Sequence, residues 1–523
     1  MRKFSQIWMP IFLVCLVATA ANAQSFQVQC PDTTITHPLA TNNTEPAYAG
    51  PAYTGTSGYG SPIAHNNGAI KCQQISGGDG FATMGDGSST YMFSFGPLSG
   101  LSKIANGQPG TGFPNEFNVV APMTLVPGDP ATTDGPIPTI PASALTLANY
   151  LSFNYNGAVG LAPDTDRGGI IDGHVDPRPI MDVGVMNGNI PAPLMAIDED
   201  DEFFLTLTNV GQIMRPDLFE QHTVHFHGYP NASAFYDGVP DASVAINIGG
   251  SFTYYYLAPD AGTYFWHCHI SPPEHLQMGM VGQIYVRPRQ NRYSGDLYAG
   301  LSAQQGDLRT KCDSSDILCS NPLPAVQTGA SNSGSTKYAY NDGDGTTAYD
   351  VEYPLQIHGF DPTFHFVGMT FNPESFADMK DKYFLLNGRS YPDTITPGPL
   401  TTQTTDGSNH FSQPLPSIIN IPHNGKALLR ISDLDVTEYQ TLASLGIPMK
   451  VVGLNAKLLR DQAGNNMYYT TNSITLAGGE SLDVILDSNG VPAGTYYLYT
   501  PNLDHLANDA ENFGGLMTEV RVN

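Results

Sequence analysis

An internal repeat is the feature that most constrains the fold of this chain. Residues 249–253 (GGSFT) lead to residues 261–265 (AGTYF), and residues 478–482 (GGESL) lead in the same way to residues 493–497 (AGTYY). Apolar runs rich in β-branched and aromatic residues, such as residues 202–208 (EFFLTLT), recur between turns containing Gly, Pro and Asp. Short strands at this spacing are typical of β-sandwiches. The sequence therefore predicts an all-β protein with two similar β-sandwich domains.

The first 23 residues have the pattern of a secretory signal peptide. Arg2 and Lys3 precede an apolar stretch at residues 11–18, and residues 21–23 (ANA) form a small-residue cleavage site. This pattern predicts export, to the periplasm or the medium. Residues 24–172 are interrupted by Gly and Pro and are predicted to form an irregular, loop-rich extension with short strand-like pieces, such as residues 91–95 (YMFSF). The two sandwiches are then expected at residues 173–290 and 348–523, joined by a linker at residues 291–347.

The composition limits the partners of the mature protein. The formal net charge is −26, and only 13% of the residues are charged. Binding to nucleic acid or to anionic lipid needs clustered Lys and Arg, which this chain lacks. After the signal peptide, no segment is long and apolar enough to cross a bilayer. We therefore expect neither a nucleic-acid partner nor a membrane partner.

One cysteine of the mature chain has no partner. Five cysteines remain after removal of the signal peptide, and four of them form two candidate disulfides, Cys30–Cys72 and Cys312–Cys319. Cys268 is left over, between His267 and His269. An unpaired thiol in an oxidising compartment is expected to be protected, catalytic or bound to a metal. The surrounding histidines favour the metal.

Strand periodicity divides the nearby histidines into two groups. Residues two apart in a strand share a face, and residues an odd number apart lie on opposite faces. His267 and His269 therefore point away from Cys268. By the same rule, His225 and His227 share a face, and His222 lies on the other one. The sequence predicts two metal sites back to back.

The first predicted site combines two imidazoles, a thiolate and a thioether, from His222, His275, Cys268 and Met280. This ligand set is typical of blue-copper electron-transfer centres. A structural zinc site would be closed by four strong ligands rather than by a methionine. Met278 is an alternative axial ligand.

The second predicted site gathers four imidazoles, from His225, His227, His267 and His269. Four imidazoles on one face suit copper or zinc. Two of these residues adjoin Cys268 in the sequence, so a covalent path would connect the two sites.

The chain resembles a laccase-like multicopper oxidase of the cupredoxin type, with two domains. The resemblance covers about residues 183–522 and depends on motifs found together, at residues 187–193 (NGNIPAP), 222–228 (HTVHFHG), 237–240 (DGVP), 249–253 (GGSFT), 267–270 (HCHI) and 386–393 (LNGRSYPD). It implies two cupredoxin-like Greek-key domains and copper as the cofactor.

The resemblance also implies a role for each ligand. A type 1 copper that accepts electrons would be held by His222, Cys268, His275 and Met280. A type 2/type 3 copper cluster that reduces dioxygen to water would take its ligands from His225, His227, His267 and His269. Electrons would pass from Cys268 through the adjoining His267 and His269. The electron donor would be a small molecule or a metal ion, with phenols, Cu(I), Fe(II) and Mn(II) all compatible.

Three features depart from the pattern of the family, and one of them is the long extension at residues 24–172, which the family motifs do not explain. The gap between Cys268 and His275 is two residues longer than in the usual oxidase motif, and the family's cluster takes eight histidines where this chain offers four in HxH form. The other histidines are scattered and are predicted to be surface or hydrogen-bonded residues: His37, His65, His174, His358, His365, His410, His423 and His505.

Two-domain members of the family complete the cluster with the second domain of a neighbouring subunit. Aligning Gly453 with Gly228 places Lys450 and Val452 opposite the histidines of the first copy, which argues against that solution here. We therefore expect either a homo-oligomer in which two copies of the same histidine group face each other, or a smaller copper site.

Two other functions are compatible with the sequence. A copper nitrite reductase-like enzyme has a type 1 site and one mononuclear copper, and residues 274–282 (EHLQMGMVG) fit that pattern as well. His225 and His269 favour the oxidase, because a mononuclear reductase site does not use them as ligands. A non-enzymatic blue-copper electron carrier would use the first site alone.

Overall fold

A computed structural model describes residues 70–98, 154–155, 158–159, 188–199, 201–212, 214–228, 233–258, 260–292, 294–305, 321–368, 375–403 and 409–523. The signal peptide predicted at residues 1–23 lies outside these residues. Cys30, Cys312 and Cys319 also lie outside them, so both candidate disulfides stay predictions.

The first sandwich consists of two four-stranded sheets and a short helix. Its elements, with the strands numbered along the chain, are β1 (Ile70–Thr83), β2 (Ser89–Pro97), β5 (Met195–Asp198), β6 (Glu202–Gly211), β7 (His225–Phe226), β8 (Ser251–Leu257), β9 (Gly262–His267), α1 (Pro272–Gln277) and β10 (Val281–Arg287). The short strands β3 (Asn154–Tyr155) and β4 (Ala158–Val159) pair with each other in a separate two-stranded ladder. One sheet has the order β2-β1-β6-β8 and the other β5-β10-β9-β7. Their inner faces enclose a core that contains Trp266, Phe95 and Tyr254.

The prediction of an irregular extension is wrong for residues 70–97. These residues form a long hairpin, and β1 pairs in parallel with β6 inside the first sandwich. The glycines that suggested loops serve close packing instead, because a Cβ at Gly80 would meet the backbone oxygen of Gly188. Glycine inside a strand often marks such an approach.

A packed segment connects the sandwiches. It contains β11 (Gly295–Asp296), α2 (Leu297–Gln305), β12 (Ser331–Asn332), β13 (Lys337–Tyr338) and β14 (Ala348–Tyr349). Within it Asn341 and Asp342 are fully buried. The Asn341 side-chain amide donates to Glu199 of the first sandwich at 2.7 and 2.8 Å. Asp344 forms a 2.9 Å ion pair with Arg460 of the second sandwich. The polar residues of this segment therefore bind to both sandwiches.

The second sandwich repeats this architecture with larger sheets. Its elements are β15 (Val351–Phe360), α3 (Pro362–Gly368), β16 (Tyr383–Leu386), β17 (Leu400–Gln403), β18 (Asn409–Ser412), β19 (Ile419–Ile421), β20 (Lys426–Asp433), β21 (Gln440–Leu445), β22 (Met449–Leu454), β23 (Lys457–Leu458), β24 (Tyr469–Thr471), β25 (Ser473–Leu476), β26 (Glu480–Asp487), β27 (Gly494–Tyr499) and β28 (Met517–Val522). One sheet follows the path β16-β15-β20-β26-β22-β23, with β24 added on β22, and the other β19-β28-β27-β21-β25. The prediction of two cupredoxin-like sandwiches is confirmed.

The topology corrects the residue alignment of the two copies. The order β16-β15-β20-β26 corresponds to β2-β1-β6-β8, and β21 pairs with β27 as β7 pairs with β9. The counterpart of β7 is therefore β21, whereas Lys450 and Val452 lie in β22, in the other sheet. The registers place Ala443 opposite Tyr499 where His225 stands opposite His267.

The glycine that ends each of these strands supports the corrected alignment. Gly228 and Gly446 both have positive φ. A Cβ on Gly228 would contact the ring of Tyr264, and a Cβ on Gly446 would contact the ring of Tyr496. Leu445 then occupies the place of His227. The second copy still lacks ligands on this strand, but the residues that replace the histidines are Ala443 and Leu445.

The described part of the chain has no helix with the length and apolar character that a membrane span requires.

Candidate metal centres

Neighbouring strands bring the two histidine motifs together. β7 and β9 are antiparallel neighbours, with His225 directly opposite His267. β10 follows on the other side of β9, and the Cys268 amide donates to the Met280 carbonyl at 3.2 Å. Residues just beyond the ends of these strands therefore meet at one end of the first sandwich.

The first group consists of His222, Cys268 and His275, all fully buried. The Cys268 sulfur lies 3.3 Å from Nδ1 of His275 and 4.0 Å from Nδ1 of His222. The Thr223 amide donates to the same sulfur at 3.4 Å. Two imidazole nitrogens and one sulfur thus converge on a small space inside the core. The set fits a copper ion, because a thiolate and imidazoles are the ligands that blue-copper sites use.

The charges in this group favour a thiolate. Burial would raise the pKa of the Cys268 thiol, but His275 and His222 outweigh burial and hold this pKa well below its usual value. Burial would lower the pKa of His275, whereas Cys268 and Glu220 raise it to about 9. The thiolate is the form of cysteine that binds metals.

Both candidate axial methionines lie close to this group. Met278 and Met280 are fully buried in the same apolar core as Cys268. The Met280 amide donates to the His275 carbonyl at 2.9 Å, and the Met280 carbonyl accepts from Cys268. The backbone of Met280 is therefore bonded to two residues of the group, while the Met278 amide bonds to Glu274.

The hairpin formed by β1 and β2 covers the first group, which the sequence did not predict. A Cβ at Gly77 would lie 2.6 Å from the His222 ring, so only glycine fits there without a shift. The ring of Phe93 stands edge-on to that of His275, with centroids 5.1 Å apart. Residues 91–95 (YMFSF), the strand-like piece predicted from the sequence, lie in β2, but their position over the metal ligands was not predicted.

Glu220 marks the outer edge of the first group. One of its carboxylate oxygens lies 3.5 Å from Nε2 of His275, and its side chain is 30% exposed. The hydrogen bond with His275 lowers the pKa of this carboxyl group. Glu220 therefore places a negative charge where the otherwise buried His275 ring comes nearest to solvent.

The second group contains all four predicted histidines. Nε2 of His227 and Nε2 of His267 are 2.8 Å apart. The His225 ring has its centroid 5.4 Å from that of His267 and 5.0 Å from that of His269. His225, His227 and His267 can offer one nitrogen each within 4.8 Å of one another. This set fits a metal ion that prefers imidazole, such as copper.

Hydrogen bonds fix the orientation of two of these rings. His225 Nδ1 donates to the Asp237 carbonyl at 2.6 Å, and His267 Nδ1 donates to the Cys268 carbonyl at 2.7 Å. In its neutral form, each ring therefore presents the lone pair of Nε2 to the group. Burial, more than any other factor, lowers the pKa of His267 to about 3 and that of His227 to about 4. Neutral imidazoles are the form that binds metals.

The second group faces a cavity of about 440 Å³ between the two sandwiches. The wall from the first sandwich includes His227, His267 and Phe265, and α1 contributes Pro272 and Leu276. The wall from the second sandwich carries Asp435, Thr437 and Glu438.

Three of the scattered histidines are described with their side chains buried in the second sandwich. His505 Nδ1 lies 2.9 Å from Oε1 of Gln440, and His365 Nε2 lies 2.8 Å from the Gln277 carbonyl. His358 Nε2 lies 3.4 Å from the same carbonyl. None of the three belongs to either group among the described residues.

The comparison with protein families agrees with this geometry. Residues 172–291 match the family model described as multicopper oxidase. This segment is therefore similar to a multicopper oxidase domain. It contains all seven residues of the two groups and both candidate methionines.

Several relatives match part of this chain. A laccase, abr2, of Aspergillus fumigatus is 32% identical over 126 residues, which is 24% of this chain and 20% of the laccase. A copper-containing nitrite reductase of Rhizobium meliloti is 34% identical over 114 residues, which is 21% of this chain and 27% of the reductase. The chain thus spans about a fifth to a quarter of the length of these relatives.

Among solved structures, the blue copper oxidase of Nitrosomonas europaea aligns with a TM-score of 0.42 and 21% identity, covering 64% of this chain and 78% of that one.

Proposed function

We propose that this protein is an exported, laccase-like copper oxidoreductase. It would oxidise a donor in one-electron steps at the first group and reduce dioxygen to water at the second. The observation that carries the proposal is the position of Cys268. Its sulfur faces His222 and His275, while its two sequence neighbours belong to the second group.

The first group would hold a type 1 copper through His222, Cys268 and His275, with Met280 as the axial ligand. The second group would hold type 2/type 3 copper. Copper supplies the exchange of single electrons and the binding of dioxygen, which the amino acids cannot supply themselves. The chain provides a buried thiolate, fixed ring orientations and a short covalent link from Cys268 to His267 and His269.

The cavity beside the second group is the proposed site of dioxygen reduction. Its lining combines the apolar residues Phe265, Leu276 and Leu434 with the acidic side chains of Asp435 and Glu438. The reduction of dioxygen to water consumes protons as well as electrons, so acidic side chains near the histidines suit this reaction.

The described residues provide four histidines for the second group, half of the number that the family's complete cluster takes. A homo-oligomer in which a second copy supplies the missing ligands remains our proposal for a complete cluster. The negative charge of Glu220 at the edge of the first group favours a donor that carries positive charge, and the test compares phenolic with metal-ion donors.

A second candidate function is a copper nitrite reductase-like activity. The 34% identity with the Rhizobium meliloti reductase supports it. The set of three nitrogens from His225, His227 and His267 also suits a single metal ion.

The deciding experiment measures copper content, oligomeric state and turnover on one purified sample. We expect an intense blue band, more than one copper per chain, and oxygen uptake with a phenolic or Fe(II) donor. Cys268→Ser should abolish the band and the uptake, because the thiolate is lost. His269→Ala should keep the band and lose the uptake, because it alters only the second group.

Other outcomes assign the protein differently. One copper per chain, with a blue band but no oxygen uptake, would identify an electron carrier. Turnover of nitrite in place of dioxygen would identify the reductase. A blue band that survives in Cys268→Ser would refute the assignment of the first group.

A further inference from the structure

The type 1 ligand His275 lies on a helix that is bound to the second sandwich. Helix α1 occupies the loop that is two residues longer than the usual oxidase motif, and Pro272 and Pro273 begin it. Proline is well suited to the first turn of a helix, where its missing amide hydrogen is not needed. The extra residues thus form a structured element instead of a longer open loop.

Gln277, the last residue of α1, is the polar link to the second sandwich. Its side chain is fully buried. The Gln277 amide donates to Asp381 at 2.8 Å, and its side-chain oxygen accepts from the Asp361 amide at 3.0 Å. Its backbone carbonyl lies 2.8 Å from Nε2 of His365. Every polar atom of the side chain is therefore paired with the second sandwich.

Apolar contacts reinforce this link. Leu276 packs in one cluster with Phe265 and Val281 of the first sandwich and Leu434 of the second. Asp381 is itself held by the hydroxyl of Thr437. Asp381, which accepts from the Gln277 amide, is thus held in place, and its hydrogen bond with Gln277 in turn holds α1.

We propose that the second sandwich, which lacks the histidine ligands of the first, positions the type 1 ligand His275 through Gln277. His275 is two residues before Gln277 on the same short helix, and its Nδ1 lies 3.3 Å from the Cys268 sulfur. A helix of six residues is marginal without tertiary contacts. The contacts of Gln277 with the second sandwich therefore determine where the His275 ring stands relative to Cys268. The proposal rests on the proposed type 1 centre.

The main test compares two glutamines that each link the sandwiches. In Gln277→Leu, α1 loses its two side-chain hydrogen bonds to the second sandwich. In the control Gln283→Leu, the fully buried Gln283 on β10 loses two comparable bonds, to the Arg430 carbonyl at 3.0 Å and to Ser432 at 2.9 Å. The control residue is not on α1, so it should affect stability but not the placement of His275.

The first measurement uses the metal-free protein. Cys268 is fully buried, so a maleimide reaches it only when the surrounding structure opens, and α1 carries His275, which contacts the sulfur. We expect alkylation of Cys268 to be roughly tenfold faster in Gln277→Leu than in the wild type, as the loss of about two hydrogen bonds implies. Gln283→Leu should alkylate at nearly the wild-type rate.

The second measurement uses the copper-loaded protein. Gln277→Leu should change the intensity of the blue band, the copper hyperfine splitting and the reduction potential, while Gln283→Leu should change none of them. Asp381→Ala removes the partner of Gln277 without altering α1 and should reproduce the effect. Asp381→Ala also tests the positioning role if Gln277→Leu does not fold.

The outcomes separate this inference from the proposed function. Equal effects of Gln277→Leu and Gln283→Leu, or no effect of either on alkylation and spectrum, would overturn the positioning role. A wild-type protein without a blue band would instead refute the type 1 centre, and the alkylation measurement would still test how α1 is held.

Discussion

Single residues determine most of the chemistry of this molecule, and Cys268 is the plainest example. The sequence identified it as an unpaired thiol among histidines, and strand periodicity predicted which histidines share a face. These inferences need only local geometry, because two-residue periodicity is a property of any strand. Gly77, which packs against the His222 ring, and Asp381, which accepts a hydrogen bond from Gln277, come from distant parts of the chain. Local periodicity could not predict these contacts.

Asp433 shows how burial changes an acidic residue near the cavity. It is fully buried at the end of β20, and its Oδ2 atom has no hydrogen-bond partner. Burial, followed by the nearby charge of Asp435, raises its pKa well above the usual value, and Glu480 and Asp381 add to this shift.

We predict that Asp433→Asn stabilises the protein at neutral pH. In the unfolded chain an Asp loses its proton near pH 3.9, whereas folded Asp433 keeps its proton to higher pH. Above that pH the folded state binds more protons, so the stability contributed by this group falls as the pH rises. Asparagine has no proton to lose. The variant should be more stable than the wild type by about 1–3 kcal/mol at pH 7, and by little at pH 4.

Thermal unfolding of both proteins from pH 4 to pH 8 measures this difference. Asp504→Asn is a suitable control, because Asp504 is exposed. A difference between wild type and Asp433→Asn that does not grow with pH would contradict the prediction.

At the scale of elements, strands were predicted better than loops. The two HxH-type motifs were predicted to lie on strands that meet at the metal sites, and these strands are the paired β7 and β9. Helix α1 was not predicted, because the argument used the two-residue periodicity of strands, which does not apply to the helical residues 272–277. The hairpin of β1 and β2 was also missed, since glycines that allow close packing look like loop residues in a sequence.

The loop at residues 237–240 (DGVP) orients the second histidine group. Its Asp237 carbonyl accepts from His225, and Gly238 has a φ of +75°. A Cβ at Gly238 would overlap the Val224 carbonyl oxygen. The motif therefore needs glycine for two reasons, the backbone conformation and the close approach to the strand before His225.

We predict that Gly238→Ala weakens metal binding by the second group and spares the first. The loop must shift to accommodate the methyl group, which removes the hydrogen bond that orients His225. Copper binding at the second group should weaken about 10- to 100-fold, as expected when a partner that orients a metal-bound histidine is lost. The blue band should stay, because Cys268 and its partners are untouched.

Copper titration followed by absorption and metal analysis measures both sites. Gly490→Ala is the matched control, since Gly490 has a φ of +76° and open space around its Cα. Loss of the blue band in Gly238→Ala, or equal loss of copper in both variants, would show that the loop has no specific role at the second group.

At the scale of the whole molecule, the repeat predicted two sandwiches but not how they are joined. The interface contains a fully buried ion cluster in which Glu352 pairs with Arg287 of the first sandwich at 2.7 Å and with Arg430 at 2.9 Å. Asp483 lies 3.6 Å from Arg430 and accepts a hydrogen bond from Thr263 of the first sandwich. These residues are far apart in sequence, so no local pattern reveals that they meet.

This cluster predicts that the sandwiches unfold together. Glu352→Gln leaves two buried arginines with too little negative charge, and removing one partner of a buried ion pair typically costs about 3–5 kcal/mol. Trp266 is the only tryptophan after the predicted signal peptide and lies in the core of the first sandwich. Its fluorescence therefore reports on the first sandwich, although Glu352 belongs to the second.

We expect Glu352→Gln to lower the denaturant midpoint of the Trp266 fluorescence change, in one transition that coincides with the loss of β-structure seen by circular dichroism. Asp487→Asn provides the control, because Asp487 and Lys426 are 46% and 44% exposed and lie 3.8 Å apart. An exposed pair of this kind contributes about 0–1 kcal/mol, so its loss should hardly move the midpoint. A Trp266 transition that stays at the wild-type midpoint in Glu352→Gln would mean that the first sandwich is stable without the second. The positioning of His275 by the second sandwich would then have to come from Gln277 and its local contacts alone, and not from a jointly folded pair.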